Sequence, residues 1–346
     1  MILTVTLFYR KGDPASDAAR SDLHSLKDEY PHELLEVNID SDPALQKMYE
    51  GKVPVVEVGP YSLTTSFDRQ KLAMTLGAAT DRKSQLKRLG RQDRYDGKRA
   101  GQTQNRGDRV MFWISRHYLA LLNIFMLFYF GLPVLAPVLM KAGAPLPASL
   151  IYTVYKPLCH QFGFRSFFLF GEQAYYPLAE AGINGVKTFE QATGILDIHN
   201  PSGYARFEAR EYIGNETVGY KMALCERDMA IYGSIFLFGI LYAATGRRLK
   251  PLHWLIWILI GMGPIGLDGF SQLFSQVEWP WLAQFLPYRE STPLLRMLTG
   301  SLFGFMTAWF AYPNMEESMA ETREFFVRKF APVSQTSPQS DASDAS

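Results

Sequence analysis

The chain has 346 residues, of which 35 are Lys or Arg and 34 are Asp or Glu, so its formal net charge is +1. The length is enough for two domains, and the charge gives no whole-chain electrostatic case for binding nucleic acid. Two cysteines exclude a disulfide scaffold but allow one bridge. Residues 1–116 are polar and charged, whereas 117–313 carry the long apolar stretches, so we expect a soluble part and a membrane part.

The first 78 residues alternate between strand-like and helix-like segments. β-Branched and aromatic residues mark the strands, and Asp-Pro pairs mark the starts of two helices. The predicted elements are strand Leu3–Tyr9, a helix from Asp13 to about Tyr30, strand Leu34–Ile39, a short helix ending at Tyr49, strands Val53–Val58 and Tyr61–Thr64, and a helix from about Ser66 to Leu76.

This order, β-α-β-α-β-β-α, resembles a glutaredoxin-like domain of the thioredoxin superfamily, and Val53-Pro54 looks like the cis-proline segment of that fold. The resemblance implies a Cys-x-x-Cys motif at the first helix, where the helix N-terminus stabilises a thiolate. Positions 13–16 instead read Asp-Pro-Ala-Ser, and no cysteine precedes Cys159. We therefore expect residues 1–78 to form a non-redox thioredoxin-like domain, either a binding module for a protein partner, a scaffold or a relic.

Residues 79–116 are polar and basic. One interpretation is a partly helical arm that anionic lipid attracts to the inner membrane surface. The other is a solvated linker that serves the positive-inside rule, and we favour this second interpretation.

Four apolar runs follow, each close to the 20 or so residues needed to span about 30 Å of hydrocarbon. They are Tyr118–Met140, Met229–Gly246, His253–Phe274 and Leu295–Pro313. We therefore predict an α-helical integral membrane bundle of about four transmembrane helices, in a multi-pass protein of the cell membrane, with an N-terminal α/β thioredoxin-like domain. The segment Leu146–Leu158 is too short to span and is expected to be interfacial or re-entrant.

The distribution of Lys and Arg predicts the orientation. These residues collect before the first run, between the second and third, and after the fourth. The positive-inside rule then places both termini in the cytoplasm. The membrane domain is expected over 117–313, with an outer loop at 141–228 and a second outer segment at 275–294. The remainder, 314–346, is a predicted cytoplasmic tail, disordered at its polar end.

This topology brings polar residues near the ends of the runs to the outer side, where charge at membrane depth is costly and indicates a functional site. The candidates for this ligand-binding or structural cluster are Cys159, His160, Gln161, Arg165, Cys225, Arg227, Asp228, Asp268, Gln272 and Arg296. Asp268 and Gln272 share a helical face, and we expect Arg296 to pair with Asp268. That pair either locks the bundle or has a binding or catalytic role.

Three hypotheses remain open for Cys159 and Cys225. They form a disulfide in an oxidising compartment, they bind a soft metal together with His160, or they are free thiols. Two cysteines and one histidine leave a structural zinc site one ligand short. Asp228 is a candidate for the missing ligand, although the spacing is no standard zinc motif.

The signature Cys-His-Gln at 159–161, Arg165-Ser166, and Cys225-x-Arg227 resembles one group of prokaryotic multi-pass membrane proteins catalogued as a domain of unknown function. The resemblance covers about 155–305 and brings no known activity. Many members of that group have a further Cys where this chain has Asp228, which weakens the metal hypothesis.

These patterns favour a binding or accessory membrane protein with its polar cluster outside and the redox-inactive domain in the cytoplasm. Its expected partners are the lipid bilayer and a protein that binds the thioredoxin-like domain. The one cofactor that the sequence suggests is a metal at the cysteine cluster. The alternatives are a membrane-embedded enzyme that uses Asp268 or His160 as acid–base, and a small-solute transporter with the Gly-rich third run lining its path.

Overall fold

The computed structural model describes residues 2–65, 67–89, 105–198, 203–276 and 288–332, and the backbone of the short strand Ser334–Gln335. The chain divides into two compact units. The first comprises Met1–Arg116 and Met319–Ser346, and the second comprises His117–Ser318.

The first unit is an α/β domain built on a mixed sheet. Its strands are β1 (Leu3–Tyr9), β2 (His32–Asn38), β3 (Val55–Val58) and β4 (Tyr61–Thr64). They lie in the order β4-β3-β1-β2, and Ser334–Gln335 pairs with the free edge of β2. β1 and β2 are parallel, with Leu3 opposite His32, whereas the other pairs are antiparallel.

Three helices accompany this sheet, namely α1 (Pro14–Ser25), α2 (Pro43–Tyr49) and α3 (Arg69–Arg88). Each begins after an aspartate, at position 13, 42 or 68, whose carboxylate accepts a hydrogen bond from a backbone N–H of the first turn. Leu23, Leu72 and Leu76 are fully buried in one core with β1 and β3. The sheet is thus covered by the apolar faces of α1 and α3.

Some boundaries differ from those that the sequence predicts. α1 ends at Ser25 rather than near Tyr30, because residues 27–29 are all charged and cannot extend its buried face. α3 continues to Arg88, well into the predicted linker, because Ala79 and Lys83 prolong its buried stripe and Lys83 Nζ donates to Ile2 O at 2.9 Å.

The Val53–Pro54 peptide is cis, as predicted. Residues 90–104 of the predicted linker and 336–346 of the predicted disordered tail lie outside the described residues.

The first unit also contains the start of the helix Arg106–Lys141 and the end of the helix Pro293–Lys329, which pack together. Lys329 Nζ contacts Asp108 Oδ2 at 2.8 Å, and Phe112 packs edge-to-face on Phe330. The helix Arg106–Lys141 therefore begins well before its predicted apolar run, and the helix Pro293–Lys329 ends well after its own, so that both helices contribute residues to both units.

The second unit contains four membrane helices and, between the first two of them, a small loop subdomain. Its elements, in chain order, are α4 (Arg106–Lys141), α5 (Pro145–Tyr155), β5 (Ser166–Leu169), α6 (Phe189–Thr193), α7 (Tyr204–Glu211), β6 (Gly214–Asn215), β7 (Gly219–Cys225), α8 (Glu226–Ala244), α9 (Trp254–Ser275) and α10 (Pro293–Lys329). Within the described residues, α4, α8, α9 and α10 are long and apolar enough to cross a membrane, which confirms the four predicted spans. The segment predicted as interfacial or re-entrant is helix α5, and residues 277–287 of the second outer segment lie outside the described residues.

The segment between α5 and α8 forms the loop subdomain. β5, β7 and β6 make an antiparallel sheet with β7 in the centre. Its core includes the buried rings of Phe164, Phe168, Tyr176 and Phe189. The aromatic residues of this loop therefore form an ordinary hydrophobic core.

Helix α9 is irregular where its glycines and proline are concentrated. Trp257–Met262 is a π-helical segment, and the α-helix Gly263–Ser275 follows with a proline in its first turn. Pro264 has no backbone N–H to donate to the preceding turn, and a widened turn accommodates that loss. The helix is thus locally widened within its glycine- and proline-rich stretch.

Helices α8 and α10 approach closely at two glycines of α10. A Cβ atom added at Gly300 would lie 2.7 Å from Arg227 O, and one at Gly304 would collide with Ile231 O and Ser234 Oγ. Gly300 and Gly304 form a small-xxx-small pair, which brings the two backbones together.

We predict that Gly304→Ala lowers the stability of the detergent-solubilised protein by about 1–3 kcal/mol, because the added methyl group overpacks the helix crossing. A thermal unfolding series measures this. Gly131→Ala, on α4 with nothing within 4 Å of its added Cβ, is the matched control and should be neutral or stabilising. Equal effects of the two substitutions would contradict the close approach at Gly304.

Candidate functional site

The second unit contains a cavity of about 260 Å³ beside the start of α8. Nine of the ten predicted site residues line it, and Asp268 lies next to it through its ion pair with Arg227. The nine are Cys159, His160, Gln161, Arg165, Cys225, Arg227, Asp228, Gln272 and Arg296. Residues that are distant in the sequence therefore meet in one place.

The turn that carries Cys159 is fixed by Gln161. This residue is fully buried and has a φ of 55°, a left-handed conformation that is uncommon for any residue except glycine. Its side-chain amide donates to Tyr152 O at 3.0 Å and to Ala223 O at 2.9 Å. Gln161 thus ties the end of α5 to β7 and places Cys159 beside Cys225.

Lys221, in the middle of β7, also holds the Cys159 turn through a side-chain hydrogen bond. Its Nζ donates to Gln161 O at 2.8 Å and to Arg210 O, and Tyr152 Oη donates to Lys221 O. Burial lowers the pKa of this amine to about 7. The sequence does not single out Lys221, because one lysine in a strand normally points to solvent.

The two cysteines and Asp228 form a compact group at the cavity. Cys225 ends β7 and caps α8, and its backbone N–H donates to Cys159 Sγ at 3.4 Å. Both cysteines are free thiols, and their sulfur atoms and an Asp228 carboxylate oxygen lie within 4.8 Å of one another. The hydrogen bond between the thiols lowers the pKa of Cys159, while the same bond and burial raise the pKa of Cys225. A disulfide between these thiols remains a prediction.

His160 lines the cavity but does not belong to this group. Its side chain is exposed, and its ring stacks on Phe162 with a centroid distance of 5.7 Å. The predicted metal set of Cys159, His160 and Cys225 therefore differs from the three residues whose ligand atoms the structure brings together.

An ion-pair network centred on Glu290 holds three of the residues that line the cavity, namely Arg165, Gln272 and Arg296. The carboxylate accepts two hydrogen bonds from Arg165, from Nε at 2.7 Å and Nη2 at 2.9 Å. Gln272 Nε2 donates to it at 2.7 Å, and Arg296 Nη2 also donates to it. Burial alone would raise the pKa of Glu290, but the two arginines outweigh it and leave the pKa below its ordinary value.

Asp268 is the centre of a second, adjacent set of contacts. It pairs with Arg227 and, at 2.8 Å, with Arg289, and both of its oxygens accept from Ser291 Oγ at 2.8–2.9 Å. The predicted pair between Arg296 and Asp268 is wrong. Arg296 lies between Glu226 and Glu290 instead, while Asp268 is neutralised by the arginine that follows Glu226 in α8.

The two sets balance formally when Asp228 of the neighbouring cysteine group is counted with them. The described residues are then four arginines, Arg165, Arg227, Arg289 and Arg296, and four carboxylates, Glu226, Asp228, Asp268 and Glu290. Removing charges from water is tolerable only when they are paired. Sequence analysis missed Arg289, Glu290 and Ser291 as site residues. One signal in the sequence could have found Glu290. The ten candidates contain three arginines but only two carboxylates, so a further acidic partner was needed.

The sequence comparisons agree with this architecture. Residues 217–310 match DUF2085, a family described as a predicted membrane protein. The DUF2085 match includes Cys225, Asp268 and Arg296. The chain is also 24% identical to the uncharacterized protein MJ1492 of Methanocaldococcus jannaschii over 209 residues, which cover 58% of this chain and 93% of that protein. The predicted resemblance to an uncharacterised membrane-protein family is thus confirmed.

We predict that Glu290→Gln destabilises the protein by about 3–5 kcal/mol, because it leaves the buried Arg296 and the partly buried Arg165 with too little negative charge. Thermal unfolding in detergent measures the change. The matched control is Glu172→Gln, whose Glu172–Lys187 pair at 2.6 Å is about half exposed and should cost less than about 1 kcal/mol. A Glu290 variant as stable as its control would contradict the network.

We further predict that Lys221 makes stability depend on pH. The folded state holds this amine with a pKa of about 7, below its ordinary value of 10.5, so the unfolded chain binds more protons between these values. Its contribution to stability should therefore rise as the pH increases from about 7 to 10.5. The unfolding midpoint of the native chain minus that of Lys221→Met, measured across this range, should increase. A constant difference would contradict the lowered pKa.

Proposed function

We propose that this integral membrane protein is a binding or accessory protein that takes a small ligand in the polar cavity at the extracytoplasmic side. The observation that carries the proposal is the cavity of about 260 Å³, lined by nine of the polar residues that the sequence predicts as a site. A group of charges that only stabilised the helix bundle would need no cavity beside it. Ligand sites are concave and place a few polar groups around such a space.

The proposed orientation rests on the distribution of positive charge. Arg and Lys residues are dense before α4, between α8 and α9, and near the end of α10. The positive-inside rule then places both termini in the cytoplasm and the cavity on the outer side.

The cytoplasmic part of the proposal is a redox-inactive, thioredoxin-like domain that docks a protein partner. The strand order β4-β3-β1-β2 supports the likeness, and the lack of any cysteine before position 159 excludes dithiol exchange within residues 1–158. A groove of about 810 Å³, lined in part by Lys47, Tyr49 and Glu57, gives this unit a concave surface for such a partner.

The contacts of Asp268 favour binding over catalysis at this residue. Asp268 accepts from Arg227, Arg289 and Ser291, so its oxygens are already engaged by donors. A general base needs a free acceptor within hydrogen-bond distance of the proton that it removes.

Thiol labelling of intact cells tests the proposal. In Cys225→Ser the only remaining thiol is Cys159, which is 8% exposed but lines the cavity. We predict that a membrane-impermeant sulfonated methanethiosulfonate reagent modifies Cys159 from outside, because the cavity admits small molecules there. Mass spectrometry of the purified protein measures the modified fraction.

A matched control defines the opposite side of the membrane. Ser21→Cys, placed on the exposed face of α1 in a variant that lacks both native cysteines, should react only after the cells are permeabilised. Modification of Cys159 only after permeabilisation would overturn the orientation. A Cys159 that reacts only in unfolded protein would show a closed, structural cluster and overturn the binding role.

A further inference from the structure

The two thiols and Asp228 have the composition and the spacing of a metal site. We infer that the ligand of the cavity is a thiophilic divalent cation of the zinc type, bound by Cys159, Cys225 and Asp228. This inference rests on the proposed function, since it names the ligand class of the same cavity. Thiolate sulfur and carboxylate oxygen are both established ligands of zinc.

The distances already approach those of a bound ion. A bond from zinc to a thiolate sulfur is about 2.3 Å, so two sulfur ligands at the tetrahedral angle lie about 3.8 Å apart. The three potential ligand atoms lie within 4.8 Å of one another. Binding therefore requires side-chain adjustments of up to about 1 Å or a change of rotamer, with no rearrangement of helices.

Each of the three ligands is held by a different part of the local structure. Cys159 follows α5 in the turn that Gln161 ties to β7. Cys225 is fixed at the junction of β7 and α8, and Asp228 lies in the first turn of α8. Cys225 N–H already donates to Cys159 Sγ, the kind of outer contact that orients a thiolate ligand.

The charge of the surroundings selects a divalent ion. Among the described residues of the site, four arginines and four carboxylates cancel formally when both thiols are protonated. Metal binding deprotonates both thiols and adds two negative charges. A cation of charge +2 restores neutrality, and an uncompensated charge in this partly buried position would be costly.

Three protein ligands leave one tetrahedral position for an outside molecule. The cavity is much larger than one ion, and the exposed side chain of His160 lines it without joining the three ligands. Zinc sites that are purely structural fill all four positions with protein ligands, whereas those that exchange a ligand leave one open. The geometry thus points to an accessible, exchangeable metal site.

Titration with Co²⁺ and Zn²⁺ tests the inference on the full-length protein in detergent after mild reduction and removal of the reductant. We expect one equivalent of Co²⁺ to give thiolate-to-cobalt charge-transfer absorption, and Zn²⁺ to displace it. Cys159→Ser should abolish that absorption. Asp228→Asn should weaken Zn²⁺ binding by at least about 10–100-fold, whereas Asp228→Cys should strengthen it because a thiolate is the softer ligand.

The matched control is Glu208→Gln, which removes an exposed carboxylate from α7 in the same unit and should leave binding unchanged. Binding that survives Cys159→Ser, or an equal effect of the Asp228 and Glu208 variants, would overturn the metal site. Absence of metal binding while impermeant reagent still modifies Cys159 would overturn only this inference. Failure of that labelling would overturn the proposed function itself.

Discussion

The packing of the membrane bundle around the polar cavity depends on the neutralisation of Glu290. This carboxylate lies just before α10 and is almost completely buried, and it accepts hydrogen bonds from Arg165 of the loop subdomain, Gln272 of α9 and Arg296 of α10. One ionised group therefore holds three separate parts of the second unit. A buried charge of this kind is tolerable only when nearby counter-charges and hydrogen-bond donors neutralise it.

The cavity is a consequence of that arrangement. Arg165 and Arg296 pair with Glu290, and Arg227 pairs with Asp268, so these three arginines are held in place where they line the cavity together with the two thiols. The cysteine side of the cavity is fixed independently, since Gln161 and Lys221 tie the Cys159 turn to β7. Charge pairing and backbone hydrogen bonding thus shape different sides of one site.

Much of this organisation could be predicted from the sequence because it depends on local patterns. Strands β1 and β4 and the end of α2 lie where alternation and turn residues place them, and apolar length alone identifies the four membrane helices. Nine candidate residues share one cavity because polar residues at the ends of apolar runs are forced to the same depth. The pairing of Arg296 could not be predicted, since it depends on helix rotation and on Glu290, which precedes its helix. Lys221 was missed because only the three-dimensional structure buries it.

A double-mutant cycle on Arg165 and Glu290 tests most directly whether this ion pair holds the loop subdomain against the start of α10. The unfolding free energies of the native chain, Arg165→Gln, Glu290→Gln and the double variant are measured in one detergent. We expect an interaction energy above about 1 kcal/mol, because each single substitution takes one counter-charge from a partner that is at least partly buried. Additive effects of the two substitutions would show that the pair is not coupled and would contradict the central role of Glu290.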